Sequence, residues 1–352
     1  MKRKSLSIFI LLLFSLSGLF ASCKKEAKTQ ESNASVNTNT EYFNNKGSIF
    51  GTFYSITYLQ PEGKDLHEEI KKRFREFELS VSPFVTSSVI SRINNNDETV
   101  TTDSYFEEMY RVAEQVSQKT NGAFDITVAP LVNAWGFGFG NKDRNEIPNV
   151  DYILEYTGYK KIKLENHRII KEDTRIMLDG SAIAKGYSSD VIGQLLEEHG
   201  CRNYMVEVGG EIACKGKNPK GDRWKIGIDM PKDDPSASGR ELQAIVGISD
   251  VGLATSGNYR QFYYRGEQKF SHTIDPRTGY PVNHNLLSAT VIAPTCIQAD
   301  AYATAFMVLG KDSAMAVCNS IPEMDCYLVY ADENGNLKDV YTNGFTKYLI
   351  KK

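Results

Sequence analysis

Segments with strand periodicity and segments with helix periodicity follow one another from about residue 47 to Lys352. No Pro/Gly/Ser-rich linker and no internal repeat interrupts them. Irregular interleaving of this kind predicts one large α/β domain (α+β mixed), with mixed sheets packed by helices; a two-lobe division near residues 140–175 is compatible with it. Residues 49–59 alternate, with Phe50, Tyr54, Ile56 and Tyr58 on one face, and read as a strand. Leu66, Ile70, Phe74 and Phe77 recur at helical spacing. Asp103 is an N-cap for a second helix whose buried stripe is Phe106, Met109, Ala113 and Val116, and which breaks at Asn121-Gly122. A third helix spans about 183–199 and ends at Gly200. Residues 204–208, 224–228, 244–248 and 287–293 read as short strands. A helix over about 297–309, a shorter one, and a hairpin around Gly335 close the chain.

Composition narrows the class. Of 352 residues, 41% are hydrophobic, 24% charged and 11% aromatic, enough to build a sizeable core. Disordered, collagen-like and disulfide-dense scaffolds are thereby excluded. Against 41 Lys and Arg stand 44 Asp and Glu, a net charge of −3, so no basic surplus exists to neutralise a nucleic-acid backbone.

The N-terminus reads as a targeting segment. Lys2, Arg3 and Lys4 precede an apolar run over residues 6–20, suited to a signal peptide and short for a membrane span. The run ends Phe20-Ala21-Ser22-Cys23, which resembles a bacterial lipobox and implies cleavage after residue 22 and lipidation of Cys23; a plain secretory signal is the alternative. Residues 1–22 hold those three cations and no acid, so their removal takes the net charge from −3 to −6. Residues 23–46 are then the lipidated cysteine and a polar tether, with the folded body at 47–352. Export permits disulfides, but Cys201, Cys214, Cys296, Cys318 and Cys326 are odd in number and show no CxxC or zinc spacing, so they read as small buried hydrophobes.

Several familiar chemistries are absent. No GxSxG, GxxxxGK[ST] or HExxH occurs, and Gly136-Phe137-Gly138-Phe139-Gly140 neither follows a clear strand nor opens a helix, as a dinucleotide fingerprint would. Four clusters carry positive signals. Asp300 and Thr304, four apart on a predicted helix among Ala299, Ala301, Ala303 and Ala305, form a pair of hard oxygen donors on one face, suited to Mg2+, although spacing alone favours an ordinary N-terminal helix carboxylate and a self-satisfied threonine. Asp179-Gly180-Ser181-Ala182-Ile183-Ala184-Lys185 reads as a strand end feeding a helix start; Lys185 opposes the macrodipole there unless an anion is near. Gly209-Gly210-Glu211 ends a strand and fits either close approach to a ligand or a plain bulge. Ala254-Thr255-Ser256-Gly257 precedes Ser271-His272, which stands just before the turn from Asp275-Pro276 to Gly279; His272 is a structural or a catalytic histidine.

Taken in order, these clusters resemble the FAD:protein FMN transferase (ApbE) family, in its lipoprotein form. Gly51-Thr52, residues 88–94, Gly122-Ala123-Phe124-Asp125-Ile126-Thr127, Pro130-Leu131-Val132 and Trp135-Gly136-Phe137-Gly138 add to the same resemblance, which covers about residues 51–310. It implies an exported, membrane-anchored enzyme facing the periplasm that binds FAD as substrate with Mg2+. The FMN half passes to a Thr or Ser hydroxyl of a target protein and AMP is released. Carried onto matching positions, Phe50, Phe84, Ala123, Phe124, Asp125, Asp179, Lys185 and Ile274 would contact the flavin nucleotide. The Ala182 carbonyl, Asp300 and Thr304 would hold Mg2+. His272 is the candidate base, since a group titrating near neutrality suits a hydroxyl nucleophile. The family's acceptors carry an Asp-x-x-Ser/Thr-Gly-Ala-Thr pattern. The chain has none, so its partner would be another exported or membrane flavoprotein. The alternatives are an FAD pyrophosphatase yielding FMN and AMP, and a non-catalytic flavin-binding lipoprotein.

Overall fold

The structure, a computed structural model, describes residues 41–138, 146–231, 241–259 and 261–350. The expected signal peptide, Cys23 and the first part of the expected tether lie outside the described residues, as do Phe139 and Gly140. In chain order the elements are β1 (Tyr42–Ile49), β2 (Thr52–Leu59), α1 (His67–Val81), α2 (Val89–Asn94), α3 (Ser104–Lys119), α4 (Ala129–Ala134) and α5 (Val150–Leu154). There follow β3 (Ile162–Glu165), β4 (Arg168–Lys171), α6 (Ala184–Glu198), β5 (Asn203–Val208), β6 (Glu211–Lys215), β7 (Trp224–Asp229), β8 (Leu242–Ile248) and β9 (Val251–Gly257). The chain then runs through β10 (Phe262–Arg265), β11 (Gln268–Ser271), β12 (Leu286–Ala293), α7 (Cys296–Leu309), α8 (Lys311–Asn319), β13 (Asp325–Ala331) and β14 (Leu337–Tyr341).

Eight strands form the main sheet in the order β1-β2-β5-β6-β9-β12-β13-β14, every neighbouring pair antiparallel. Its two faces bury different cores, because successive side chains on a strand point to opposite sides. On β12, Ala289, Val291 and Ala293 join α3, α6 and α7, while Ile292 between them joins the β7–β8 hairpin and Phe345. α1 covers β1, β2 and β5 through Ile70 and Phe74. Residues 38–352 form one compact unit, so no lobe boundary falls near residues 140–175.

The strand expected over residues 49–59 is the second arm of a hairpin. Phe50 and Gly51 are its turn, with φ of +51° and +70°, a pair of left-handed residues that matches the twist of the flanking strands. β1 occupies residues 42–46 of the expected tether. Although polar, this stretch is fixed by Phe43 stacking on Tyr58 and by the Tyr58 hydroxyl donating to Asn45. Nor does a strand lead into Asp179. Residues 176–180 are extended coil in which Leu178 exchanges two hydrogen bonds with the Asn94 side chain and Asp179 N–H donates to the Ile126 carbonyl. All five described cysteines are buried free thiols.

Candidate active site

α6 and α7 cross close enough to set the site. Gly186 makes this contact, since a Cβ there would lie 2.6 Å from Asp300 Cβ and against the Cys296 carbonyl. α7 offers Ala299, Ala301, Ala303 and Ala305, all fully buried, so neighbouring backbone can approach it. Its N-terminus is capped from α6, where the two oxygens of Asp190 accept the Cys296 and Ile297 N–H groups at 2.9 and 2.8 Å. Burial pushes the Asp190 carboxyl up to about 7.

At the crossing, Asp300 Oδ2 accepts the Gly186 N–H at 2.9 Å and faces Lys185 Nζ at 3.7 Å. In the first turn of α6 the Gly186 N–H already has a carboxylate, and that of Ala184 goes to the Gly180 carbonyl, so neither awaits an anion. Thr304, one turn along α7, shares a 3.1 Å hydrogen bond with Ser256 at the end of β9. Lys185 also meets Glu211 Oε1 at 3.1 Å. Glu211 opens β6 after a turn in which Gly209 and Gly210 take φ of +65° and +105°; Gly209 needs its missing Cβ because Thr52 and the Lys185 stem crowd it. Burial alone would lower the Lys185 pKa, but Asp300 and Glu211 reverse this and hold it above the ordinary lysine value. Burial raises Glu211 to about 7 against the pull of Lys185. Its Oε2 is buried without a hydrogen-bond partner.

Glu211 and Ser256 stood in recognised motifs but received no role from sequence. The Gly-Gly turn was the available signal for Glu211, and nothing local marked Ser256. With both carboxylates ionised the cluster carries one more negative than positive charge, together with a hydroxyl pair, and so fits a hard cation. Among the described residues no three His, Cys, Asp or Glu side chains form a metal cage. A cation here would complete its shell from hydroxyl, main-chain carbonyl, water and phosphate, as Mg2+ readily does.

His272 follows β11. Its Nδ1 lies 3.1 Å from the Gln261 carbonyl, which can only accept, so Nδ1 carries the proton and Nε2 the lone pair. Burial, with a smaller push from the Lys185 charge, lowers its pKa. The imidazole is therefore neutral and basic at Nε2.

Each of the other expected residues has its own place and partners in the fold. Ala123 and Phe124 are buried, Phe124 in the core beneath α3, and their N–H groups already go to the Thr120 carbonyl and hydroxyl. Asp125 serves the fold: Oδ1 accepts from Thr127 N–H and hydroxyl, and Oδ2 from Tyr159 N–H. Asp179 Oδ1 accepts the Ser181 N–H, and burial raises its pKa. Ala182 is half-buried against the main core, and Phe50 packs edge-on against Phe77. Ile274 is buried and bridges to Pro281. Phe84 is 68% exposed on the segment between α1 and α2. Two open surface depressions, of about 510 and 620 Å³, are lined by none of the expected site residues.

Residues 50–328 match the ApbE family. The FAD:protein FMN transferase of Haemophilus influenzae is 33% identical over 348 residues, covering 95% of both chains. That of Vibrio cholerae serotype O1 is 35% identical over 317 residues, covering 87% of this chain and 92% of the relative. Among solved structures, the flavin transferase ApbE from Vibrio cholerae superposes with a TM-score of 0.78 at 33% identity, over 88% of this chain and all but 1% of the other. The apo form of the Pseudomonas stutzeri flavinyl transferase ApbE gives 0.77 at 27% identity, over 87% and 96%.

Proposed function

This chain belongs to the ApbE family, and we infer from that premise that it is an FAD:protein FMN transferase whose chemistry is carried by the Lys185–Asp300–Thr304 cluster. The observation that carries the reading is the placement of a half-buried lysine ammonium between two buried carboxylates at the start of α6, beside a paired threonine hydroxyl on α7. Mg2+ is the cation proposed there, held by Asp300, Thr304 and the Ala182 carbonyl. When bound, it would neutralise non-bridging oxygens of the FAD diphosphate.

The residues of the chain do the rest. Lys185 offers its charge to the diphosphate, and the segment 123–125 would line the flavin nucleotide. A threonine or serine oxygen of the acceptor attacks the phosphorus on the flavin side. A phosphoester bond forms there, the bond to the bridging oxygen breaks, and AMP leaves with that oxygen. The hydroxyl proton passes to His272 Nε2, whose tautomer the Gln261 carbonyl has already set. The acceptor is an exported or membrane flavoprotein with an Asp-x-x-Ser/Thr-Gly-Ala-Thr segment. The enzyme is anchored through lipidated Cys23 and faces the periplasm.

The test is incubation of the protein with FAD, Mg2+ and such an acceptor, read by intact mass and nucleotide analysis. Acceptor heavier by one FMN moiety with equimolar AMP is the expected result. FMN and AMP free in solution would replace transfer by hydrolysis, and intact FAD would leave only flavin binding.

A further inference from the structure

Glu211 is the one member of the charged cluster to which neither the motif reading nor the proposed chemistry gives a task. It is 5% exposed, its main-chain carbonyl is fixed by the Ser189 hydroxyl at 3.1 Å, and the tight Gly209–Gly210 turn sets where β6 begins. The Lys185 stem runs over Gly209, and the ammonium stands nearer to Glu211 (3.1 Å) than to Asp300 (3.7 Å). Two carboxylates thus compete for one ammonium, and the nearer is the one with no other cation to hold.

We propose that Glu211 is a positioning residue: its carboxylate restrains the Lys185 ammonium on the β5–β6 turn side of the cluster and thereby keeps Asp300 open to a divalent cation. The inference rests on the divalent-cation reading of the site given above. Without Glu211, Asp300 is the remaining anionic partner in contact with Lys185; the ammonium closes on it and must be displaced before a cation can enter. A neighbour that orients a ligand in this way typically controls affinity by about 10–100-fold.

The experiment is a double-mutant cycle read on binding, with transfer as a second readout. Mn2+ is titrated into the full-length protein with ADP present and followed by its electron paramagnetic resonance signal, for the wild type, Glu211→Gln, Lys185→Met and the double variant. Glu211→Gln is expected to weaken Mn2+ binding by about tenfold or more in the wild-type background and not at all in the Lys185→Met background. The Mg2+ concentration for half-maximal transfer should rise in step. Equal weakening in both backgrounds, which a plain charge effect would give, overturns the inference. So does wild-type affinity in Glu211→Gln while the wild type itself binds Mn2+. A wild type that binds no Mn2+ overturns the cation reading and this inference together. If Lys185→Met does not fold, Glu211→Asp decides. It keeps the charge but draws the carboxylate back by one methylene, so weakened binding supports the inference and unchanged binding refutes it.

Discussion

His272 and Asp125 show how one kind of observation, the hydrogen bonds a side chain has already made, separates chemistry from scaffolding. His272 spends Nδ1 on a carbonyl and leaves a lone pair on Nε2. Replacing it with Ala should cut transfer by about 10²-fold or more while FAD binding, followed by flavin fluorescence, is retained. Because its pKa is depressed, the imidazole stays unprotonated through the ordinary histidine range and gains its proton only at lower pH. The acidic limb of kcat/KM should therefore lie below the ordinary value of about 6.5 and vanish in His272→Ala; a limb above that value would remove His272 from the base role. Asp125, in contrast, has both oxygens committed to Thr127 and Tyr159. Asp125→Ala strands three donors in a buried place and should cost about 2–3 kcal/mol in urea unfolding. An unchanged unfolding midpoint with weakened FAD binding would return it to a pure ligand contact.

The elements that build the site depend on backbone proximity between α6 and α7. Gly186→Ala puts a methyl group where Asp300 Cβ and the Cys296 carbonyl already are, so the helices must part. The expected loss is about 1–3 kcal/mol in thermal unfolding, with transfer falling further than stability because Asp300 moves with α7. Asp190→Ala uncovers two N–H groups at the α7 N-terminus and should cost about 1–2 kcal/mol; no loss would mean that another group caps α7. α3 was legible because amphipathic spacing and caps are local. Asp103 does accept the Phe106 N–H, and α3 ends where Asn121-Gly122 turns left-handed. β9 was not legible as a strand: Val-Gly-Leu-Ala-Thr-Ser-Gly lies between β6 and β12 with Leu253 and Ala254 facing opposite cores, so no polar face marks its period. β1 was missed for the opposite reason, since its residues are polar and only its partners make it a strand. The same division holds at the site. Local spacing left Lys185, Asp300 and Thr304 open between site and scaffold, and only the ordered family resemblance singled them out, whereas the pairing of Glu211 with Lys185 and of Ser256 with Thr304 exists only after the sheet brings β6 and β9 under the helices.

For the molecule as a whole, the question is where the catalytic unit begins. The compact unit includes β1, which closes one edge of the eight-stranded sheet and buries Ile49 against the α1 side of the core. It also holds the Asn45–Tyr58–Asp65 hydrogen bonds, through which the Tyr58 hydroxyl reaches the Leu66 N–H at the start of α1. A chain starting at Glu41 keeps all of these contacts and should transfer FMN in solution at the wild-type rate, with an unchanged melting temperature. A chain starting at Thr52 loses β1, bares the hydrogen-bonding edge of β2 and exposes Tyr58. The lost burial of Ile49 and of half-buried Phe43 alone is worth about 2–4 kcal/mol, so this chain should melt far lower or aggregate through the opened edge. Cys23→Ala tests the proposed anchor separately from the fold. It should move the protein from the membrane fraction to the soluble fraction while leaving the rate toward a soluble acceptor unchanged. Since every contact of the Lys185 cluster lies within residues 52–304, a rate that fell with Cys23→Ala would mean that anchoring does more than locate the enzyme.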